Sequence, residues 1–214
     1  MSIDPFRKLK FYTYDEVVIH NKKDDFWVVI HRNIFDLSHL IEDRMDSWNV
    51  NMDYLLAFGG KDLSCYFYEN GCPKTRIHPN SGLKVPLFPP INEFAESTRL
   101  KTKNTLWSQE HLYHIGQVTR QERPLRIINT LTGTTRLLNV CDEDSINTIK
   151  AKYTKAYNFH SGSYVWRKDY KKGTVSGRLN FNNTLTENGI FAEKDGINPP
   201  PAIWLFYDDD FTVA

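Results

Sequence analysis

The sequence predicts an α+β protein built from two domains in series. Its 214 residues suit one large or two small domains. Short apolar runs rich in β-branched and aromatic residues predict strands, and short segments with helically spaced apolar residues lie between them. A polar stretch that contains a proline, Gln121-Glu122-Arg123-Pro124, marks a plausible boundary. We therefore expect one domain over residues 1–119 and another over residues 120–214.

Composition narrows the class of protein. A hydrophobic content of 40% and an aromatic content of 14% predict packed cores rather than disorder. A formal net charge of +1 gives no general attraction to nucleic acid or to an acidic membrane surface. There is no apolar run of membrane-spanning length, and the first residues, MSIDPFRKLKF, lack the apolar core of a secretory signal. We expect a soluble, intracellular protein without nucleic-acid or membrane partners.

The first elements follow from local pattern. Before residue 20, Thr13 and Asp15 are candidate caps for a short helix. Residues 26–30 predict a buried strand, residues 31–33 a polar turn, and residues 34–35 a second short strand. A helix follows, for which both Asp36 and Ser38 are candidate caps.

Further along the first half, a second helix is predicted over residues 52–58 and ends at Gly59-Gly60. A third helix is predicted from Asp62. The prolines of residues 84–92 argue against any strand ladder there, so we interpret residues 83–106 as an extended insertion. Residues 113–119 resemble the strand that closes the sheet in a known domain family, so we expect a closing strand there.

The second half predicts a hairpin, a helix and further strands. Its hairpin strands, residues 125–130 and 135–140, flank a turn at Thr132-Gly133. Asp142 or Asp144 would cap a helix. The remaining predictions are a strand at 164–167, a pairing segment at 179–181, a helical turn at 184–190 and a last strand at 202–207.

No catalytic pattern emerges. The sequence lacks a phosphate-cradling glycine loop and a nucleophile elbow, so we expect no enzyme activity. Three cysteines without a signal peptide predict free thiols, buried or half-buried. The spacing of Cys65, Cys72 and His78 matches no zinc pattern.

Several segments of the chain carry a family resemblance. They are Tyr12-Thr13-Tyr14-Asp15-Glu16-Val17, His20-Asn21, Phe26-Trp27-Val28-Val29, Phe35-Asp36-Leu37-Ser38, Ala57-Phe58-Gly59-Gly60-Lys61-Asp62, Arg126-Ile127-Ile128-Asn129-Thr130-Leu131-Thr132, Thr184-Leu185-Thr186-Glu187-Asn188-Gly189-Ile190 and Tyr207-Asp208-Asp209. The segments of the first half resemble the cytochrome b5-like family, and those of the second half continue the resemblance towards a ciliary branch of that family with a ubiquitin-like β-grasp domain. The sequence ends in Phe211-Thr212-Val213-Ala214, without the Gly-Gly of ubiquitin, so we expect no conjugation.

The resemblance implies a haem cleft with two axial imidazoles. Arg44 stands where the first family histidine is expected, and the Pro-Gly-Gly that accompanies it is absent. An arginine stays protonated and offers iron no lone pair. His78 is the candidate for the second axial ligand. A ligand from Met45 or Met52, or a five-coordinate haem on His78, stays open; the other interpretation of His78 is an ordinary loop histidine.

The resemblance also implies a place in the cell. It suggests a non-catalytic component of the ciliary axoneme, associated with radial spokes and ciliary beating, with axonemal proteins as partners and a cytoplasmic, cytoskeletal location. The alternative is a soluble b-type haem electron carrier. Among the tryptophans, Trp27 and Trp204 are predicted in cores, and Trp48, Trp107 and Trp166 at contact surfaces. The carboxylates of residues 208–210 are predicted either as solvated or as an acidic docking patch.

Overall fold

The computed structural model describes residues 9–44, 52–87, 112–169, 177–192 and 199–207. The chain divides into two compact units, Met1–Val118 and Thr119–Ala214. The predicted boundary lies one residue further along. Both units combine β-sheet with a few helices. Within the described ranges, none of the helices is long and apolar enough to cross a membrane.

Unit 1, Met1–Val118, is organised around a five-stranded sheet. Its elements are β1 Phe11–Tyr12, α1 Tyr14–Val18, β2 Asn21–Lys22, β3 Asp25–Ile30, β4 Asn33–Asp36, α2 Ser38–Arg44, α3 Met52–Leu56, a 3-10 helix Ser64–Tyr66, β5 Thr75–Ile77, β6 Lys84–Pro86 and β7 His114–Val118. The sheet order is β1-β7-β4-β3-β2. Strands β1 and β7 are parallel, and the other neighbours are antiparallel. The predicted closing strand is thus confirmed as β7.

Helix α1 begins where the sequence places a cap. The Thr13 side chain accepts the backbone N–H of Glu16 at 3.2 Å, and the Glu16 carboxylate accepts the Thr13 N–H at 2.8 Å. This reciprocal pair is a capping box, which satisfies two amide donors that would otherwise lack a partner within a short helix. Thr13 is therefore the cap, and Asp15 lies in the first turn.

The predicted strand, turn and strand around residue 31 form the β3–β4 hairpin. Phe26, Val28 and Ile30 are buried on β3 and belong to one hydrophobic cluster. The two turn residues, His31 and Arg32, have φ of 49° and 67°. Positive φ at both central residues matches the twist of a tight hairpin, although glycine or asparagine is the usual occupant.

The structure corrects the prediction that prolines exclude a strand ladder after residue 83. Residues Lys84–Pro86 form β6, which pairs with β5 as a separate two-stranded sheet. The outermost pair is Thr75 with Pro86, so the missing proline N–H falls at the end of the ladder. Residues 88–106 of the predicted insertion lie outside the described ranges.

Unit 2, Thr119–Ala214, contains a four-stranded sheet and one longer helix. Its elements are β8 Glu122–Asn129, β9 Thr134–Cys141, α4 Ile146–Ala156, a 3-10 helix Phe159–Ser163, β10 Val165–Arg167 and β11 Ala202–Phe206. The sheet order is β10-β11-β8-β9, with β11 parallel to β8 and the other pairs antiparallel. Helix α4 buries Ile146, Ile149 and Tyr153 against this sheet's core. The predicted hairpin, helix and final strand are confirmed.

The polar stretch predicted to mark the domain boundary, residues 121–124, mostly belongs to a strand. Residues Arg123 and Pro124 lie within β8, which begins at Glu122. The pairing of β8 with β11 begins at Arg126. Pro124 lies before it, so the N–H that proline lacks is not needed for a hydrogen bond to β11. The Arg123 guanidinium is buried and donates to Asp142 at 2.8 Å and to the Ile190 carbonyl at 2.7 Å.

Helix α4 is capped by neither of the predicted aspartates. Ser145 is the cap, and its hydroxyl accepts the N–H of Thr148 at 3.3 Å. Asp144 is buried and accepts from the Lys152 ammonium at 2.8 Å and from the Cys141 N–H at 3.3 Å. Because that carboxylate serves a buried ion pair, the serine beside it is left to cap the helix.

Trp166 was predicted at a contact surface, and the structure places it in a core. It is 2% exposed, its indole N–H donates to the Ser161 carbonyl at 3.1 Å, and its ring meets Tyr153 edge-on at 5.7 Å. Burial raises the pKa of the Tyr153 phenol, while the nearby Arg136 charge lowers it in part. Trp27 and Trp204, predicted in cores, are half-buried. Trp48, Trp107 and residues 208–210 fall outside the described ranges.

Candidate functional site

The two positions implied as haem ligands lie in different kinds of structure. Arg44 is the last residue of α2, so the first family ligand position falls at a helix end. Met52 is the first residue of α3, and Met45 lies outside the residues that the structure describes. Neither methionine alternative is tested by these placements, and both stay predictions.

His78 lies in the loop that joins β5 to β6. Its backbone N–H donates to the Leu83 carbonyl at 2.8 Å, and its carbonyl accepts the Gly82 N–H at 2.9 Å. Its half-buried ring accepts the Ser81 N–H at Nδ1, 3.3 Å away. The loop therefore holds both the backbone and the ring of His78 with hydrogen bonds of its own.

This hydrogen bond decides what the His78 ring can offer a metal. A backbone N–H can only donate, so Nδ1 acts as acceptor and a neutral ring carries its proton on Nε2. Iron bound at Nε2 would shift that proton to Nδ1, where it would face the Ser81 N–H. Metal-bound histidines instead donate their second ring N–H to an acceptor. The surroundings of His78 therefore do not fit an axial ligand without rearrangement of this loop.

The other described histidines are engaged elsewhere. The His20 ring stacks on Trp27 at 3.5 Å, and its Nδ1 lies 2.6 Å from the Asp25 carboxylate. The Nε2 of His31 lies 3.0 Å from the carbonyl of Tyr68. The remaining ones lie at an exposed site on α2, on β7 against Phe35, and in unit 2: His39, His114 and His160.

Among the described residues, no group of three or more His, Cys, Asp or Glu side chains is placed to hold a metal ion. A b5-type haem needs two imidazoles instead of such a cluster. At the first implied position the chain carries Arg44, which has no lone pair for iron, and at the second the Nδ1 of His78 is held by Ser81. As they stand, these two positions do not fit a b5-type haem.

The glycine pair that resembles the b5 family has a packing role here. A side-chain carbon on Gly59 would lie 2.7 Å from the Asn21 Cα, and one on Gly60 would lie 2.6 Å from the Val18 carbonyl oxygen. Gly60 also has φ of +69° and donates its N–H to the Trp27 carbonyl at 2.7 Å. Only glycine fits so close a backbone approach. The glycine pair therefore lets the segment after α3 pack against α1, β2 and β3.

The β5–β6 hairpin presents an apolar and cationic surface. Ile77 and Leu83 are 73% and 66% exposed. Lys74, Arg76 and Lys84 lie in the same segment, and residues 71–87 include no aspartate or glutamate. The sequence did not predict this hairpin, because the nearby prolines were taken to exclude paired strands in spite of the short extended runs. The alternation of cationic with β-branched residues from Lys74 to Ile77 was the available signal.

The cysteines are free thiols, as predicted. Cys141 is buried and Cys72 is half-buried, but Cys65 is exposed. The expectation of buried or half-buried thiols is thus wrong for Cys65, which lies in the surface 3-10 helix Ser64–Tyr66.

Comparison with known proteins covers nearly the whole chain. The family model described as "Cytochrome b5-like Heme/Steroid binding domain" matches residues 13–119. "Cytochrome b5 domain-containing protein 1" of Xenopus laevis is 31% identical over 95% of this chain and 96% of its own length. The protein of the same name in Homo sapiens is 31% identical over 95% of this chain and 92% of its own length. The solved "Cytochrome b5 of Ostreococcus tauri virus 2" is 17% identical, covers 50% of this chain and 95% of that chain, and has a TM-score of 0.27.

Proposed function

The chain belongs to the cytochrome b5 domain-containing protein 1 family, and on that premise we propose that it is a non-catalytic adaptor of the ciliary axoneme. It associates with radial spokes, contacts other axonemal proteins and is needed for ciliary beating. The motif resemblance to a ciliary b5-like branch supports this location. Both units act as docking modules in this proposal.

One observation carries the adaptor role: the fold-forming motifs keep their packing, whereas the ligand positions do not fit haem. Gly59 and Gly60 lie so close to neighbouring backbone that a Cβ on either would clash with it. At the ligand positions, Arg44 offers no lone pair, and the Nδ1 of His78 is already held by Ser81. A b5-like unit in this condition supplies shape and surface rather than redox chemistry.

Unit 2 is proposed as a ubiquitin-like β-grasp domain. Its first hairpin, β8–β9, precedes α4, and the last strand, β11, then pairs in parallel with β8 at the centre of the sheet. This order supports the proposal, because it places the helix across one face of a mixed sheet, as the β-grasp resemblance implies.

A soluble b-type haem electron carrier is the second candidate function. The observation that favours it is the half-buried His78 downstream of the glycine pair. For this function the Ser81 hydrogen bond would have to open, and Met45 or Met52 would have to supply the second ligand unless the haem is five-coordinate.

Haem titration of the full-length protein separates the two functions. We expect hemin to give no saturable Soret band, with the same weak, unspecific signal in His78→Ala and in His160→Ala. His160 is the matched control because it is an exposed histidine in unit 2. A stoichiometric Soret band that His78→Ala abolishes and His160→Ala retains would establish the electron carrier instead.

The location is tested separately in ciliated cells. We expect the tagged protein to stay with detergent-extracted axonemes and to co-precipitate radial-spoke proteins. Loss of the protein is expected to reduce beating while cilium length is unchanged. Complete release of the protein by detergent, together with normal beating in its absence, would contradict the axonemal role.

A further inference from the structure

Unit 2 contains a groove beside the end strand of its sheet. The groove has a volume of about 640 Å³, within the range of sites that hold a short peptide or a small ligand. Its walls come from α4, β10, the segment after residue 177 and the end of β11. We call it the basic groove and define it by Lys150, Tyr164, Arg167, Arg178, Phe181 and Tyr207.

The charge of the basic groove has one sign. Lys150, Arg167 and Arg178 line it, and none of its described lining residues is an aspartate or a glutamate. Asp169 approaches Arg167 from outside the lining, with 3.7 Å between its carboxylate and the guanidinium Nε. Arg167 is 7% exposed and is paired with Asp169, so the charge within reach of a ligand comes from Lys150 and the exposed Arg178.

Aromatic rings line the groove between these cations. Tyr164 and Tyr207 meet edge-on with ring centres 6.2 Å apart. The Lys150 ammonium lies 5.3 Å from the centre of the Phe181 ring and donates to the Gly162 carbonyl at 2.9 Å. Such contacts fix the position of the charge without neutralising it. A ligand that fits must therefore present anionic groups next to apolar or aromatic groups.

We propose that the basic groove binds an acidic peptide segment of a partner protein in which carboxylates alternate with aromatic side chains. The argument rests on charge complementarity and on the aromatic rings in the groove. Val165–Arg167 ends the sheet order, but Arg178 bridges Arg167 on its outer side, so the peptide would lie in the groove and would not add a strand to the sheet. An extended peptide turns successive side chains to opposite sides. Carboxylates would then face Lys150 and Arg178, and rings would face Tyr164 and Tyr207.

A protein partner fits this site better than a nucleic acid. Nucleic-acid binding relies on neutralising many phosphates along a groove. Here three cations share one groove, and the whole chain has a formal charge of only +1. The inference rests on the proposed adaptor role of unit 2. Its failure would leave the haem titration unaffected, so the two proposals fail separately.

The test measures fluorescence anisotropy of the full-length protein with a short fluorescein-labelled peptide that alternates Asp and Phe. We expect saturable binding that weakens as salt is raised, and no binding of a peptide that alternates Lys and Phe. Arg178→Glu and Lys150→Met are each expected to weaken binding roughly tenfold. Methionine keeps an apolar stem over Phe181 while it removes the charge.

The matched control changes the same charges on a different surface. Arg76→Glu and Lys84→Met lie on the exposed β5–β6 hairpin and are expected to leave binding unchanged. Tyr207→Ala is expected to weaken the Asp-Phe peptide but not an Asp-Gly peptide, since only the former uses the rings. Circular dichroism confirms that each variant is folded.

Three results would overturn the proposal. The first is equal loss of binding in the hairpin variants and the groove variants, which would show an unspecific effect of charge. The second is equally tight binding of a single-stranded oligouridine at matched charge. The third is binding of the Asp-Phe peptide only after residues 208–210 are replaced by asparagine, which would assign the groove to the chain's own carboxylates.

Discussion

The β3–β4 and β5–β6 hairpins of unit 1 have opposite character. The β3–β4 hairpin is part of a five-stranded sheet, with four paired positions and a two-residue turn. The β5–β6 hairpin is a separate two-stranded sheet with three paired positions and a loop that contains His78. Phe26 on the first is 1% exposed, and Ile77 on the second is 73% exposed.

The difference shows which hairpin contributes stability to the core of unit 1. Two strands alone are marginal in water, so β5–β6 contributes little to the core. The β3–β4 hairpin instead has backbone bonds on both sides: the Lys61 carbonyl accepts the Val29 N–H at 3.0 Å, and the Val29 carbonyl accepts the Leu63 N–H at 2.8 Å. The region that matches the family's fold motifs is the buried hairpin, and the candidate ligand lies on the exposed one.

Truncation of one apolar side chain on each hairpin should give the largest difference in the free energy of unfolding. Phe26→Ala removes a buried ring and leaves a cavity, so we expect a loss of about 3–5 kcal/mol in the free energy of unfolding. Ile77→Ala should change it by less than about 0.5 kcal/mol. Urea unfolding followed by tryptophan fluorescence measures both. A large effect of Ile77→Ala would mean that β5–β6 is covered and stabilising, which would contradict its role as an open surface.

The glycines that serve each hairpin give a matched pair. Gly60 and Gly82 have φ of +69° and +67°, so alanine brings the same backbone strain at both. Gly82 has open space around it, whereas Gly60 lies against Val18. We expect Gly60→Ala to cost about 2–4 kcal/mol and Gly82→Ala about 1–2 kcal/mol. Equal losses in thermal or urea unfolding would show that the close approach at Gly60 relaxes freely.

The smallest effect concerns the turn of the buried hairpin. Arg32 has φ of +67°, and its guanidinium donates to the Val118 carbonyl at 2.8 Å. Arg32→Ala removes the hydrogen bond to Val118 but keeps a side chain at positive φ, with its backbone strain. Arg32→Gly removes both the hydrogen bond and the strain. We therefore expect Arg32→Gly to be more stable than Arg32→Ala by about 1 kcal/mol. If alanine were equal to or better than glycine in urea unfolding, the turn would not be strained.

Most of the fold could be predicted, because its strands and one helix cap depend on the types and spacing of neighbouring residues. The apolar run at residues 26–30, the Thr13 cap and the strands at either side of Gly133 each follow from neighbouring residues. The errors occurred where a distant partner decides the outcome. Pro124 lies in a strand because the ladder to β11 begins beyond it, and Asp144 is no cap because Lys152 takes its carboxylate.

The candidate sites were less predictable for the same reason. The position of His78 follows from motif spacing, but the acceptor role of its Nδ1 depends on how the loop folds back to Ser81. Lys150, Arg178 and Tyr207 are far apart in sequence and meet only in the folded sheet. Trp166 was misjudged because its neighbour Tyr153 comes from the preceding helix.

The linear chain was sufficient to identify the b5-like resemblance, the mixed fold class, the main strands and the arginine at the position implied for the first ligand, because side-chain identity and short-range spacing encode all of these. Three-dimensional packing alone assigned the glycine pair to backbone approach, exposed the β5–β6 hairpin and assembled the basic groove. Those properties depend on distances between residues that are remote in sequence, and such distances arise only when the strands pair.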